Sequence, residues 1–258
     1  MPQRGWEIGG RRVSFAELRE SRDLFLDGWP VPLLLALGRE REEDWRILHP
    51  SELGRCLRQR VLLHQVDYFA RPDPAWAPLL GTGIHQLLAE QARTLYPPAE
   101  CLVEERLEWA FQVEGETFRL SGQIDLYHRP SRTLVDYKTT KRLREGVDWG
   151  YEVQQNLYAH LLRQQGEAPE RSLLWFVETQ TRRKKGQAGE HLQFQTVEVP
   201  LWKAAEVEEV LRHLAAVLVR AHRDGVLPRA LAYSDEGSWQ CWYCPVWQRC
   251  RELERQGQ

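Results

Sequence analysis

The sequence predicts a mixed α/β fold, with a central mixed sheet flanked by helices, and three observations carry that prediction. Apolar residues recur at helical spacing through the first third of the chain. The middle third switches to the two-residue alternation of strands, and helical and strand patterns then alternate up to about residue 223. From Ala230 onward the pattern fades into a Trp- and Cys-rich tail that cannot build a conventional apolar core, so something other than apolar packing should organise it.

Ser14 followed by Glu17 reads as a capping box opening a helix over 15–26, and 30–37 is a short apolar segment after the break at Gly28. Ser51, behind Pro50, is a second N-cap for a helix that carries Cys56 and runs on to residue 63. A third helix spans 77–95, where Gly81 and Gly83 lower propensity and so mark close backbone approach. Strands at 101–113, 117–127 and 133–139, parted by the turns Glu114-Gly115 and Arg129-Pro130-Ser131, read as an antiparallel meander. A helix over 151–165, strands at 173–180 and 192–199 around a basic loop, and a long helix over 201–223 closed by Gly225 and Pro228 complete the core. The chain thus divides into an N-terminal helical extension (1–45), a core (46–230) and a C-terminal tail (231–258), with no internal repeat.

At 258 residues and 30.3 kDa the chain is long enough for one α/β domain with an appended lobe. Its 42% hydrophobic and 28% charged composition excludes a disordered polymer. No apolar run approaches the roughly 20 residues that span a bilayer. The N-terminus lacks the basic-then-apolar order of a secretory leader, so a reducing cytoplasm is expected and disulfides are not. A net charge of −2 neither demands nor forbids a nucleic-acid partner. Basic clusters are local: Lys138, Lys141, Arg142 and Arg144; Arg182, Arg183, Lys184 and Lys185; and Arg55, Arg58 and Arg60 around Cys56. Each is as readily a solvated face as a phosphate site.

The chemistry concentrates in Gly122-Gln-Ile-Asp125 and, past a turn, Leu134-Val-Asp136-Tyr-Lys138. Residues two apart share a strand face, so Asp136 and Lys138 point the same way. Apolar neighbours on both faces make the strand central, where an acid and an amine are costly unless paired, metal-bound or solvated in a cleft. Strand pairing brings Asp125 near Asp136, and two converging carboxylates call for a divalent cation, Mg²⁺ or Mn²⁺. An exposed ion pair on an edge strand is the plainer alternative. On the flanking helices, Gly81-Thr-Gly-Ile-His85 offers an imidazole, which suits Mn²⁺. Gln154 and Tyr158, four residues apart on one face, offer hydrogen-bond donors to a phosphate or water.

Taken in order, GxxxH, GxxD, DxK and QxxxY resemble the RecB-like branch of the PD-(D/E)XK nuclease superfamily, over about residues 51–250. The resemblance implies a restriction-endonuclease-like core. It implies that His85, Asp125, Asp136 and the backbone carbonyl of Tyr137 hold the metal, that Lys138 is catalytic, and that Gln154 and Tyr158 support DNA binding and site geometry. Many relatives carry Glu where this chain has Asp136, which bears on metal preference.

The tail holds Cys241-Trp-Tyr-Cys244-Pro-Val-Trp-Gln-Arg-Cys250, three thiols that want a fourth, and Cys56 is the available partner. Four thiolates suit tetrahedral zinc or a [4Fe-4S] cluster, and spacing alone does not choose. One lone upstream cysteine with a C-terminal CxxC and a third Cys resembles the iron-sulfur staple of AddB recombination subunits and CRISPR-associated adaptation nucleases. That resemblance implies a [4Fe-4S] cluster on Cys56, Cys241, Cys244 and Cys250, and DNA with single-stranded or frayed ends as substrate. It further implies an exonuclease that trims spacer precursors beside CRISPR integrase proteins. A phage or repair exonuclease of similar make and a non-catalytic iron-sulfur DNA-binding module are the alternatives, the latter disfavoured by the intact Asp125, Asp136 and Lys138. Cys101 belongs to no such pattern and reads as a buried free thiol. Trp239, Trp242, Tyr243 and Trp247 either shield the cluster or stack on unpaired bases.

Overall fold

Strand alternation across residues 101–140 produces the long hairpin on which the fold is built. A computed structural model describes residues 3–38, 44–143, 146–179, 193–229, 240–241 and 243–257. In chain order its elements are β1 (Gln3–Ile8), β2 (Arg11–Ser14), α1 (Phe15–Glu20), β3 (Phe25–Leu26), β4 (Trp29–Pro30), α2 (Val31–Leu37), β5 (Ile47–Leu48), α3 (Pro50–Leu53) and α4 (Leu57–Gln65). There follow β6 (Tyr68–Ala70), α5 (Trp76–Leu95), β7 (Cys101–Val113), β8 (Glu116–His128), β9 (Thr133–Thr140), α6 (Trp149–Gln164), β10 (Arg171–Glu178), β11 (Phe194–Glu198), α7 (Ala204–Arg223) and α8 (Trp247–Arg255). Two compact units result. One is Leu48–Gly54 with Leu80–His213; the other gathers Met1–Ile47, Arg55–Leu79 and Leu214–Gln258.

The unit built on residues 80–213 carries a six-stranded sheet in the order β11-β10-β9-β8, with both β7 and β5 also paired to β8. β9 and β10 are parallel, while the β7/β8, β8/β9 and β10/β11 pairs are antiparallel, giving the expected mixed sheet. Leu88 and Ala92 of α5 cover one face, over Cys101, Leu126, Val135 and Tyr137. The other face receives α6, a helix buried at every position from Val153 to Leu162. Two close approaches seat α6. A Cβ on Gly122 would meet Tyr158 Cε1 at 2.7 Å and Pro50 Cγ at 2.9 Å, and one on Gly54 would meet the Gly150 backbone at 2.5 Å. Glycine at 122 is therefore a packing requirement of the QxxxY helix.

The other unit has a three-stranded sheet, β2-β1-β6, with β1/β2 antiparallel and β1/β6 parallel. Trp6 anchors its core, packed edge-on against Phe15 at 5.8 Å and donating its Nε1–H to Leu34 O at 2.9 Å. Val13, Leu18, Val31, Leu34 and Leu37 close around it.

Several expectations are corrected. Residues 1–45 are not simply helical: Gly9 and Gly10, both at positive φ (58° and 80°), turn β1 into β2. The capping box at Ser14 and Glu17 is present, but its helix ends at Glu20 instead of running to 26. Asp27 and Gly28 (φ 47° and 82°) turn the two-residue hairpin β3/β4 in that place. The helix expected from Ser51 through Cys56 is two helices. α3 is capped at His49, whose Nδ1 lies 2.9 Å from Ser121 O, and Cys56 is the N-cap of α4, because Gly54 breaks the chain where Gly150 passes. The division into units also departs from three consecutive regions, since the Cys56 segment and the tail fold with the N-terminal strands. Arg144, the run Arg182 to Lys185, Trp239 and Trp242 lie outside the described residues. Among those described, no helix is long and apolar enough to cross a membrane.

Candidate active site

The β7/β8 hairpin turns between Glu114 and Gly115, which sets Val103 opposite Leu126 and Glu105 opposite Ile124. Glu104 and Asp125 are the one facing pair in this stretch without ladder pairing, and Glu104 sits at φ 53°. On the other edge of β8 the β8/β9 ladder stops at Leu126↔Val135, so Asp125 and Asp136 hold the next register position. A row of three acids thus crosses three neighbouring strands where pairing lapses on both sides of β8.

Asp125 fills the gap. Its Oδ2 accepts the Tyr137 backbone N–H at 2.6 Å, replacing a ladder bond, and its Oδ1 lies 3.3 Å from Nδ1 of His85 on α5. Burial alone would lower the His85 pKa, but the hydrogen bond and charge of Asp125, with Asp136 behind, raise it. Glu104 completes this corner: the ligand atoms of His85, Glu104 and Asp125 lie within 4.8 Å of one another. Gln123 Nε2 holds Glu104 by donating to its Oε2 at 2.8 Å and its carbonyl at 3.2 Å. Glu104 Oε1 is left buried with no hydrogen-bond partner among the described residues. Burial and the charge of Asp125 raise the Glu104 pKa.

Asp136, 2% exposed, is engaged on the α6 side: it pairs with Lys138 and accepts a hydrogen bond from Gln154 Nε2 at 3.1 Å. Burial pushes its pKa up to about 6, with Lys138 pulling against burial and Asp125 adding to it. Gln154 Nε2 also lies 3.5 Å from the Tyr158 hydroxyl, whose pKa burial raises. Gln155 and Asn156 face elsewhere, bonded to Ser172 and to Pro200 and Trp202. The structure therefore brings His85, Asp125, Asp136, Lys138, Gln154, Tyr158 and the Tyr137 backbone to one region. It adds Glu104, which the sequence reading passed over.

A nitrogen and several oxygens with one orphaned, buried carboxylate oxygen form a donor set that suits a hard divalent cation. The comparisons agree with that chemistry. The sequence model of the PD-(D/E)XK nuclease superfamily matches residues 52–251. The chain belongs to the PD-(D/E)XK nuclease superfamily. Membership in the PD-(D/E)XK nucleases implies a metal-dependent nuclease with DNA as substrate. No curated protein matches the sequence. The crystal structure of SSO0001 is similar in fold, with a TM-score of 0.51 at 18% identity, covering 83% of this chain and 89% of that one. A crystal structure of a candidate exonuclease from Eubacterium rectale aligns with a TM-score of 0.33 at 14% identity, over 61% of this chain and 58% of that one.

Four of the thiols, Cys56, Cys241, Cys244 and Cys250, lie in the other unit. All five cysteines are free, and Cys101 is buried as expected. Cys244 and Cys250 pack on the core of Leu62, Leu63, Tyr68, Val246 and Leu253, and the Cys56 N–H donates to Gln240 Oε1 at 3.2 Å. Burial first, then the neighbouring Cys56, Cys241 and Cys250, push the Cys244 thiol up to about 11, although a Val246 backbone hydrogen bond opposes the rise. No three of these sulfurs lie within 4.8 Å of one another among the described residues, so they do not form a gathered ligand set. Tyr243 and Trp247 are 62% and 47% exposed, so neither is a closed shield.

Proposed function

We propose that this PD-(D/E)XK protein is a DNA exonuclease acting on single-stranded or frayed ends, with His85, Glu104, Asp125, Asp136 and the Tyr137 carbonyl holding Mn²⁺ or Mg²⁺. The observation that carries the reading is the row Glu104, Asp125 and Asp136 across three strands, with His85 at one end and Lys138 at the other. A divalent cation bound there polarises the phosphate and acidifies water. Lys138 steadies the nucleophile and the charge developing on the phosphate. Gln154 fixes the Asp136 carboxylate, and Tyr158 backs Gln154. End-labelled single- and double-stranded DNA, incubated with Mn²⁺ or Mg²⁺, tests this against Asp136→Ala and Lys138→Ala. Both variants are expected to be inactive, and equal cleavage by all three proteins overturns the assignment.

We further infer that Cys56, Cys241, Cys244 and Cys250 carry a [4Fe-4S] cluster. Support comes from the pattern of one upstream cysteine with a C-terminal CxxC and a third Cys, and from Cys56, Cys241, Cys244 and Cys250 falling in one compact unit. Protein purified without oxygen should be brown, absorb near about 400 nm and hold about four irons per chain. Stoichiometric zinc would overturn it. The cysteine spacing is also the reason to assign the enzyme to trimming spacer precursors beside a CRISPR integrase. Co-purification with such an integrase, and trimming of its DNA substrate, test that assignment.

A further inference from the structure

The face of α6 that carries Gln154 and Tyr158 also carries Tyr151, three residues before Gln154. Its ring lies under the ammonium of Lys138, with Nζ 5.5 Å from the centroid, inside the range of cation–π attraction. The ring's orientation is set by packing. It meets Phe176 edge-on at 5.8 Å and 70°, and with Leu143 and Val147 it packs against Leu174, Phe176 and Val199. Lys138 therefore has two neighbours of different kind, the Asp136 carboxylate and the Tyr151 ring face.

We propose that Tyr151 is a positioning residue whose ring holds the Lys138 ammonium over the reaction site when Asp136 is engaged by a divalent cation. A carboxylate shared with a cation attracts an ammonium less, and a four-carbon stem left to itself lets its amine swing into water. The ring does not compete for the cation: a π face is a poor ligand for Mg²⁺ or Mn²⁺, which take oxygen and imidazole nitrogen. Of the two neighbours, only the ring keeps its hold through metal loading. The proposal rests on the reading of Lys138 as the catalytic amine.

Replacing Tyr151 with phenylalanine, then with mono-, di- and trifluorophenylalanine, keeps the shape of the ring while draining its negative face. Tyr151→Phe, which keeps the ring face, is the reference of the series, and successive fluorines should lower kcat from its value to roughly a tenth with KM and Mn²⁺ affinity unchanged. A second readout needs no metal. With lysine isotopically labelled, the terminal methylene resonances of Lys138 should be shifted upfield by the ring in the metal-free protein, and that shift should vanish in Tyr151→Leu. A kcat that stays flat across the fluorinated series overturns the proposal, as does an unshifted Lys138 signal in the parent. Full activity in Lys138→Ala overturns the reading beneath it as well, so the two failures are told apart.

Discussion

Asp136 is held at a thermodynamic disadvantage that its position makes visible. Burial raises its folded pKa from 3.8 to about 6, so the folded state keeps a proton that the unfolded state gives up. Stability from this group is full below pH 4, falls as pH rises through 6, and is level above. Asp136→Asn, an uncharged mimic, should raise the melting temperature of the metal-free protein at pH 7, by a gain on the order of 1–3 kcal/mol, while abolishing cleavage. Melting curves from pH 4 to 7 check both the gain and its disappearance in acid. Glu104 makes a different prediction. With one oxygen held by Gln123 and the other orphaned, Glu104→Gln should weaken Mn²⁺ binding at least tenfold by calorimetry and leave the fold intact. The sequence made Asp125, Asp136, Lys138 and His85 legible because each sits in a spaced motif. Glu104 stands beside Glu105 with nothing in its own neighbourhood to choose between them. Register could have chosen: a turn between 114 and 115 sets 104 opposite 125, and counting across the hairpin finds the third acid.

At the scale of elements, long periodic segments were readable and punctuation was not. The meander, α5, α6 and the parallel partner β10 follow the pattern of apolar residues. The two N-terminal hairpins turn on Gly9-Gly10 and Asp27-Gly28, pairs whose positive φ selects a two-residue turn, yet short flanking strands give too little alternation to weigh against a strong capping box. The break between α3 and α4 has a tertiary cause, the passage of Gly150 over Gly54, which no local propensity records. The glycine of GxxD belongs to the same class of fact. Gly122→Ala places a methyl 2.7 Å from Tyr158 and should cost about 1–3 kcal/mol of stability. It should also lower activity beyond that loss, by displacing Tyr158 from Gln154. Denaturant melts and initial rates on the same samples separate the two effects.

On the scale of the whole molecule, the acids and the four thiols Cys56, Cys241, Cys244 and Cys250 fall in different compact units. On the proposed assignment of the two metal sites, Cys250→Ser should abolish iron incorporation and lower the stability of the unit containing α4 and α8, while Mn²⁺ affinity at His85, Glu104 and Asp125 stays within about threefold of the parent. Iron assay and calorimetry on one preparation check the pair of outcomes, and a parallel loss of both metals would contradict it. The sequence pointed to the thiols but not to the company they keep. Nothing local in residues 1–38 announces that they share a unit with a tail more than two hundred positions away, because that association is made by long-range strand and helix packing.

Such a discontinuous unit constrains how the protein is born. Cys56 leaves the ribosome 241 − 56 = 185 residues ahead of Cys241. At ordinary translation speeds it waits roughly 10–40 s for the tail cysteines that the proposed cluster needs. Through that interval the hairpin and its acids can assemble while the Cys56 sulfhydryl stays open to oxidants and stray metals. Under the proposed cluster, yield of loaded enzyme should then depend on how well the cell guards nascent chains, with slow expression in iron-replete, oxygen-poor culture favouring it.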